Sequence, residues 1–434
     1  MKKSKSLVIR VIIFFVLLPA FVLFIPERTF GQFVKGADIG WLSQMEATGF
    51  KFYDSTGAQK ECLQILKEAG INTIRLRVWV NPSNDKTNGH CSKKEVASMA
   101  LRVKNMGMRL MINFHYSDTW ADPAKQTKPA AWANHSFSQL LTDVYTHTYE
   151  VLDTLKAIGA KPDWVQIGNE IPGGMLWPDG STSNWSQLAQ LLNKGYDAAK
   201  AVDTSIKTII HIDQGNNNSR FRYFFDKVTS YNVKYDIIGA SYYPYWLGSN
   251  YTATINDLGN NLNDMVSRYG KEVMVVEVGG DYTLVQDTYD MLAAVIKKTS
   301  AVPNKKGLGV IYWEPEGAKT WSGYQLSCWS SDGKPTRALN AFLIDPTLGF
   351  NSIKNDQRVI VYPNPNFDGL LNVELTGITG VTKLRIFDAN GKMVRTQILE
   401  NQPRASLDVR QLHGMYLINI NNREQNYSQK ILIN

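Results

Sequence analysis

The stretch Asp163-Trp164-Val165-Gln166-Ile167-Gly168-Asn169-Glu170 reads as a buried strand that ends on a polar pair. Trp164, Val165 and Ile167 suit a strand covered on both faces, whereas Asn169 and Glu170 at its end do not. Seven other runs have the same character: Val34–Trp41, Thr73–Trp79, Arg109–Ser117, Thr208–Gly215, Asp236–Pro244, Glu272–Gly279 and Leu308–Pro315. Amphipathic helical patterns lie between them, clearest at Lys94–Met106, Phe137–Ile158, Gln187–Val202, Ile255–Arg268 and Leu284–Lys298. Several begin after Ser, Thr, Asn or Asp and several end at Gly, as helix termini prefer. Eight strands alternating with helices over roughly 315 residues predict an α/β fold, a (β/α)8 TIM barrel with enlarged loops. A doubly wound open sheet is the alternative, but no G-x-G-x-x-G follows the first strand.

In such a barrel, polar residues at the C-terminal strand ends mark the site face. The ends read Trp41; Arg75, Arg77 and Trp79; Asn113 and His115; Asn169 and Glu170; His211 and Asp213; Tyr242 and Tyr243; Glu277; Trp313 and Glu314. A single one would be an ordinary satisfied core polar group, but eight strands in step point to one mouth. Glu170 and Glu277, on the fourth and seventh strands, face each other across it. Either alone could be salt-bridged to Arg77 or cap a strand end. Together they suit attack on a glycosidic bond from one side and protonation of the leaving oxygen from the other. A separation near ~5 Å would mean retention and one of ~6.5–9.5 Å inversion. There is no H-E-x-x-H, and none of the six His forms a ligand pair with metal spacing. No G-x-S-x-G elbow, strand-end Cys or phosphate loop occurs. The reading therefore needs no metal and no cofactor.

At 434 residues the chain exceeds one ordinary domain, and 44% hydrophobic with 20% charged residues permits a large core. Eleven Trp, 20 Tyr and 17 Phe suit the apolar faces of sugars as well as packing. Half of the formal charge of +8 sits in residues 1–32, and no long basic run follows, so nucleic acid is not an expected partner. Lys2, Lys3 and Lys5 precede the apolar run Val11–Ile25, with the small residues Thr29 and Gly31 at a cleavage spacing. This reads as a signal peptide over residues 1–31, leaving an exported monomer with no transmembrane span in the mature chain; an uncleaved anchor is the alternative. Three Cys (Cys62, Cys91 and Cys328) exclude a disulfide scaffold and leave room for one bridge, Cys62–Cys91.

Past a barrel over residues 32–345 and a linker over 346–356, residues 357–434 change to short alternating runs. These are Gly369–Leu375, Lys383–Asp388, Lys392–Ile398, Ser406–Val409, Gly414–Asn421 and Tyr427–Ile433, with a hairpin signal at Asp388-Ala389-Asn390-Gly391. A small β-sandwich is expected. Its opening Val361-Tyr362-Pro363-Asn364-Pro365 and the run Gly414-Met415-Tyr416-Leu417-Ile418-Asn419-Ile420 resemble the C-terminal sorting domain of type IX secretion. A carbohydrate-binding module is the rival reading, weakened by the absence of Trp.

The segments Gly36–Trp41, Asn72–Trp79, Asn113–Pro123, Gln166–Glu170 and Val276–Gly279 strongly resemble the endo-β-1,4-galactanases of glycoside hydrolase family 53, over about Val34 to Ile344. The resemblance implies a secreted, retaining enzyme acting on the β-1,4-galactan of type I arabinogalactan, with Glu170 as acid/base and Glu277 as nucleophile. Some members bind calcium through loops after strands seven and eight. Here Gly279-Gly280-Asp281-Tyr282 supplies few oxygens, so no calcium is expected. The residue types fit the chemistry on their own terms. Arg77 is expected to compensate the charge of Glu277, Asn169 to donate to a sugar 2-hydroxyl, and Tyr242 or Tyr243 to orient Glu277. Trp79, Trp246 and Trp313 are candidate sugar platforms, His115 belongs to the hydrogen-bonding shell, and His211 is a candidate substrate contact. Two other functions compete: a related barrel glycosidase cutting β-mannan or β-glucan, and a non-catalytic surface glycan-binding protein. A polysaccharide panel separates the first from a galactanase, and the presence of both Glu170 and Glu277 speaks against the second.

Overall fold

The computed structural model describes residues 32–83, 90–344, 359–376, 380–388, 392–422 and 426–434. The leader, the linker and the Ala389–Gly391 turn expected above lie outside these residues. Chain contacts divide the protein into two compact units, Met1–Thr347 and Leu348–Asn434.

In the first unit, β1 (Val34–Asp38), β2 (Thr73–Val78), β3 (Arg109–Phe114), β4 (Trp164–Ile167), β5 (Lys207–Ile212), β6 (Ile237–Tyr242), β7 (Glu272–Val278) and β8 (Gly307–Trp313) close in that order into one parallel barrel. The open-sheet alternative is excluded. Helices pack outside it, among them α1 (Lys93–Asn105), α2 (Phe137–Ala157), α3 (Trp185–Val202), α4 (Asn218–Ser230), α5 (Ile255–Tyr269) and α6 (Val285–Ser300). Ser92 and Ser136 start α1 and α2 by accepting from Glu95 N–H and Gln139 N–H, and the Glu95 and Gln139 side chains return the bond. These reciprocal caps satisfy donors that a helix start would otherwise orphan.

Inside the barrel, Val34, Met111, Trp164, Ile209, Ile237, Met274, Val276 and Ile311 form an apolar floor. Towards the C-terminal ends of the strands the inward positions become polar: Asp38, Arg75, Asn113, Gln166, His211 and Ser241, all buried. Successive strand residues face opposite sides, so the floor and the polar layer share one register. β7 departs from it. Ala240 pairs with Val275, but Ser241 pairs with Glu277, so Val276 is an extra residue. This bulge lets Val276 and Glu277 both face inward, the re-aiming that bulges provide beside sites.

The observed strands stop earlier than the sequence suggests. Trp41, Trp79, His115, Asn169, Glu170, Asp213, Tyr243 and Glu314 lie one to three residues beyond their strands, where the chain leaves the sheet. The one bridge the sequence left room for, Cys62–Cys91, is not formed; Cys62, Cys91 and Cys328 are all buried thiols. No helix among the described residues is long and apolar enough to cross a membrane.

Among the described residues the second unit has seven antiparallel strands, β9 (Val359–Tyr362), β10 (Leu370–Leu375), β11 (Val381–Phe387), β12 (Met393–Glu400), β13 (Arg404–Asp408), β14 (Gly414–Asn421) and β15 (Asn426–Ile433). They form sheets in the orders β13-β10-β9 and β12-β11-β14-β15. Val361, Leu371 and Val373 from one sheet and Leu384, Ile386, Ile418 and Ile431 from the other share one core. This is a small β-sandwich.

Candidate active site

Glu277 enters the mouth from the bulge in β7. Its Oε1 lies 2.8 Å from Arg75 Nη2, and its Oε2 accepts a hydrogen bond of 3.3 Å from the Tyr243 hydroxyl. Arg75 is fully buried and also holds Asp38 at 2.7 Å. Burial pushes the Glu277 carboxyl up, and the Arg75 guanidinium opposes that rise.

Glu170 arrives by a different route. Gly168 turns the chain at φ +80°, where a Cβ would meet Ile171 Cγ2 at 2.8 Å, so only glycine fits. Glu170 itself sits at φ 41°, a conformation uncommon for a side-chain-bearing residue. Its surroundings hold it there: the N–H donates to His211 Nδ1 at 3.3 Å, and the carbonyl accepts from Gln126 Nε2 at 3.2 Å. Its Oε1 accepts from the Ser241 hydroxyl at 2.6 Å. Burial raises the Glu170 carboxyl well above the usual range, and the nearby charge of Glu277 adds to this. The two acids are thus dressed differently. Arg75 faces Glu277 directly and acts on Glu170 only weakly, so Glu277 ionises first.

Several expected residues lie elsewhere. Arg77 does not serve Glu277; it is paired with Glu314, and its guanidinium lies 4.2 Å from the Trp120 ring centroid. Arg75 and Arg77 share a face of β2, and the deeper one reaches Glu277. Gly40 leaves space for the other, since a Cβ there would lie 2.1 Å from Arg77 Nη1. Tyr242 points away from the mouth into the helix layer, where its hydroxyl contacts the Tyr251 carbonyl and Thr254 Oγ1. Strand alternation puts Tyr243, not Tyr242, on the side of Ser241. Trp79 is no open platform: it is buried, and its Nε1 donates to His115 Nδ1 at 3.1 Å. His211 is fully buried beneath Glu170 and offers no surface to a ligand.

Others remain at the mouth. Trp313 is half-buried and packs edge-on against Trp41, Trp120 and Tyr324, with centroids 5.3, 5.8 and 4.8 Å away. Trp246 stands 63% exposed on the short turn Pro244–Leu247 after β6. Asn169 Oδ1 accepts from Arg75 at 3.0 Å and from Asn113 at 2.9 Å, while its Nδ2 donates to the Ala121 carbonyl. His115 Nδ1 accepts from Trp79 and from Ala121 N–H, which places its proton on Nε2. Burial, then Arg77 and Arg75, hold that ring neutral. Sequence reasoning missed Ser241, Gln166 and Trp120, and gave Arg75 no role.

Arg75→Met would strip Glu277 of its buried cation and leave Asp38 with only the more distant Arg77, 3.9 Å away and already paired with Glu314. The expected loss of stability is about 3–5 kcal/mol, read by thermal unfolding. The acid limb of the activity profile should also move to higher pH, because Glu277 loses the charge that favours its ionised form. An unchanged limb would remove Arg75 from this role.

A closed parallel barrel with an aromatic-walled mouth and two carboxyl groups in unlike surroundings defines the class: a barrel glycoside hydrolase. The comparison with known proteins takes this one step further. The chain belongs to glycosyl hydrolase family 53, whose model matches residues 34–344. A probable arabinogalactan endo-β-1,4-galactanase A of Neosartorya fischeri is 36% identical, covering 69% of this chain and 89% of its own. An endo-β-1,4-galactanase of Bacillus subtilis is 31% identical over 73% of this chain and 78% of its own. The family 53 catalytic domain of Ignisphaera aggregans superposes with a TM-score of 0.67 at 32% identity, covering 73% of this chain and 97% of that one. Residues 360–434 match the secretion system C-terminal sorting domain, which directs the protein to the cell surface or beyond by type IX secretion.

Proposed function

We propose that the protein is a retaining endo-β-1,4-galactanase that cuts the galactan backbone of type I arabinogalactan. The observation that carries the catalytic part is the unequal dress of the two carboxyl groups. Glu277, held by Arg75 and Tyr243, is the one to stay ionised and attack the anomeric carbon. Glu170, lifted by burial and by Glu277, is the one to hold a proton for the departing sugar oxygen. After the glycosyl–enzyme ester forms, Glu170 is a carboxylate and takes a proton from water, which attacks the anomeric carbon and releases Glu277. Trp313 and Trp246 offer flat apolar faces to galactose rings. His115 Nε2–H and the second Nδ2 hydrogen of Asn169 serve sugar hydroxyls. The relatives named for galactan support the choice of substrate. The domain plan that accompanies this reading is a leader over 1–31, a catalytic barrel over 32–345, a linker over 346–356 and a sorting sandwich over 357–434, with the mature enzyme acting as a monomer.

Proton NMR on linear β-1,4-galactan tests the linkage and the stereochemistry together. The expected first product signal is the β-anomer, with the α-anomer growing only as the sugar mutarotates. An α-anomer first would mean inversion, and cleavage of β-mannan or β-glucan in place of galactan would overturn the substrate.

A further inference from the structure

Beneath Glu170 lies a chain of groups that the two-carboxylate reading does not use. His211 Nδ1 accepts from Gln166 Nε2 at 2.8 Å and from Glu170 N–H at 3.3 Å. With Nδ1 occupied as an acceptor twice, the ring proton sits on Nε2. That nitrogen is 2.7 Å from Ser241 Oγ, so the histidine donates and the serine accepts. The serine hydrogen in turn goes to Glu170 Oε1, 2.6 Å away. Every bond in the chain therefore has one direction: His211 to Ser241 to Glu170. His211 and Ser241 are both fully enclosed. Burial, then Arg75 and His115, hold the histidine well below its ordinary range, so it stays neutral and the direction does not reverse.

The geometry points to Ser241 and His211 as positioning residues that fix which oxygen of Glu170 does the chemistry. Oε1 is committed to the serine, so the proton given to the leaving oxygen resides on Oε2, as does the base function in the second half of the reaction. The backbone bond from Glu170 N–H to the same imidazole ties the left-handed turn to this arrangement. One histidine thus sets both the backbone and the carboxyl of the acid. Of the charged and titratable groups around Glu170, Glu277 and Asp213 raise it and Arg75 lowers it, the phenols of Tyr243 and Tyr324 interact with it electrostatically, and neutral His211 lies beneath. The Ser241 donor also favours the carboxylate form.

This inference rests on Glu170 being the acid/base, and its test keeps the two apart. In Ser241→Ala, kcat/KM on linear β-1,4-galactan should fall roughly 10- to 100-fold, part of the span that a well-placed general acid contributes. On a dinitrophenyl β-1,4-galactobioside, whose leaving group needs no proton, kcat/KM should stay within about threefold. The alkaline limb on galactan should move to higher pH, because a donor to the carboxylate has gone, and Ser241→Thr should restore it. His211→Asn keeps a partner for Glu170 N–H but cannot reach Ser241. It should shift the same limb and stands in if Ser241→Ala does not fold. Equal losses on both substrates, or an unmoved limb in a folded variant, would overturn the positioning role. Full galactan activity in Glu170→Ala would instead overturn the acid/base reading beneath it.

Discussion

Glu277→Ala is expected to lose roughly 10⁴- to 10⁶-fold in galactan hydrolysis while the barrel stays folded, the scale seen when a covalent nucleophile is removed. The folded state should survive because Arg75 keeps Asp38 at 2.7 Å, so the deletion leaves no orphaned buried cation. The stereochemistry of rescue makes the result specific. Azide can enter the space vacated by the side chain and attack the anomeric carbon from the face that Glu277 used. With a dinitrophenyl β-1,4-galactobioside it should yield the α-galactobiosyl azide, identified by its proton coupling constant. Hydrolysis within tenfold of the parent would assign the nucleophile elsewhere, and a β-azide would mean that Glu277 lies on the wrong side of the sugar.

Why the sequence reveals the barrel but blurs the site is a matter of which forces leave a mark on residue type. Parallel strands buried on both faces must be apolar, so all eight are visible as runs, and their order follows from the helices between them. Their ends are less visible, because a strand stops where its neighbours diverge and not where its composition changes. Val34–Trp41 looked continuous, yet pairing ends at Asp38. Strand parity alone cannot resolve two places. Arg75 and Arg77 lie on one face of β2, and which of them meets Glu277 depends on depth in the barrel, set by strand stagger. In β7 the floor residues Met274 and Val276 would by simple alternation send Glu277 outward; the bulge at Val276 reverses that, and a valine in a strand does not announce a bulge. Tyr243 could have been chosen over Tyr242, since it shares parity with Ser241, had the inward face of β6 been known. Ser241 carried no signal at all. A serine in an apolar strand looks like a tolerated small residue until His211 and Glu170 are seen on either side of it.

Glu170→Ala is the complementary case, and the acid/base role makes its loss depend on the leaving group. On galactan, whose leaving oxygen must be protonated, activity should drop roughly 10²- to 10⁴-fold. On a dinitrophenyl β-1,4-galactobioside the first step needs no proton, so glycosyl–enzyme should form at nearly the parent rate and then persist. A burst of dinitrophenolate followed by slow turnover is the expected trace. Azide needs no general base and should speed the second step, giving the β-galactobiosyl azide, the opposite anomer from the Glu277→Ala product. The pH profile supplies an independent reading. In the parent, kcat/KM on galactan should rise as Glu277 ionises and fall as Glu170, held above the usual carboxylate range by burial and by Glu277, gives up its proton. Removing Glu170 removes the alkaline limb. On the acid limb Glu170 is still protonated and uncharged, so that limb should stay put. Retention of the alkaline limb in Glu170→Ala, or an α-azide product, would show that a different group protonates the leaving sugar.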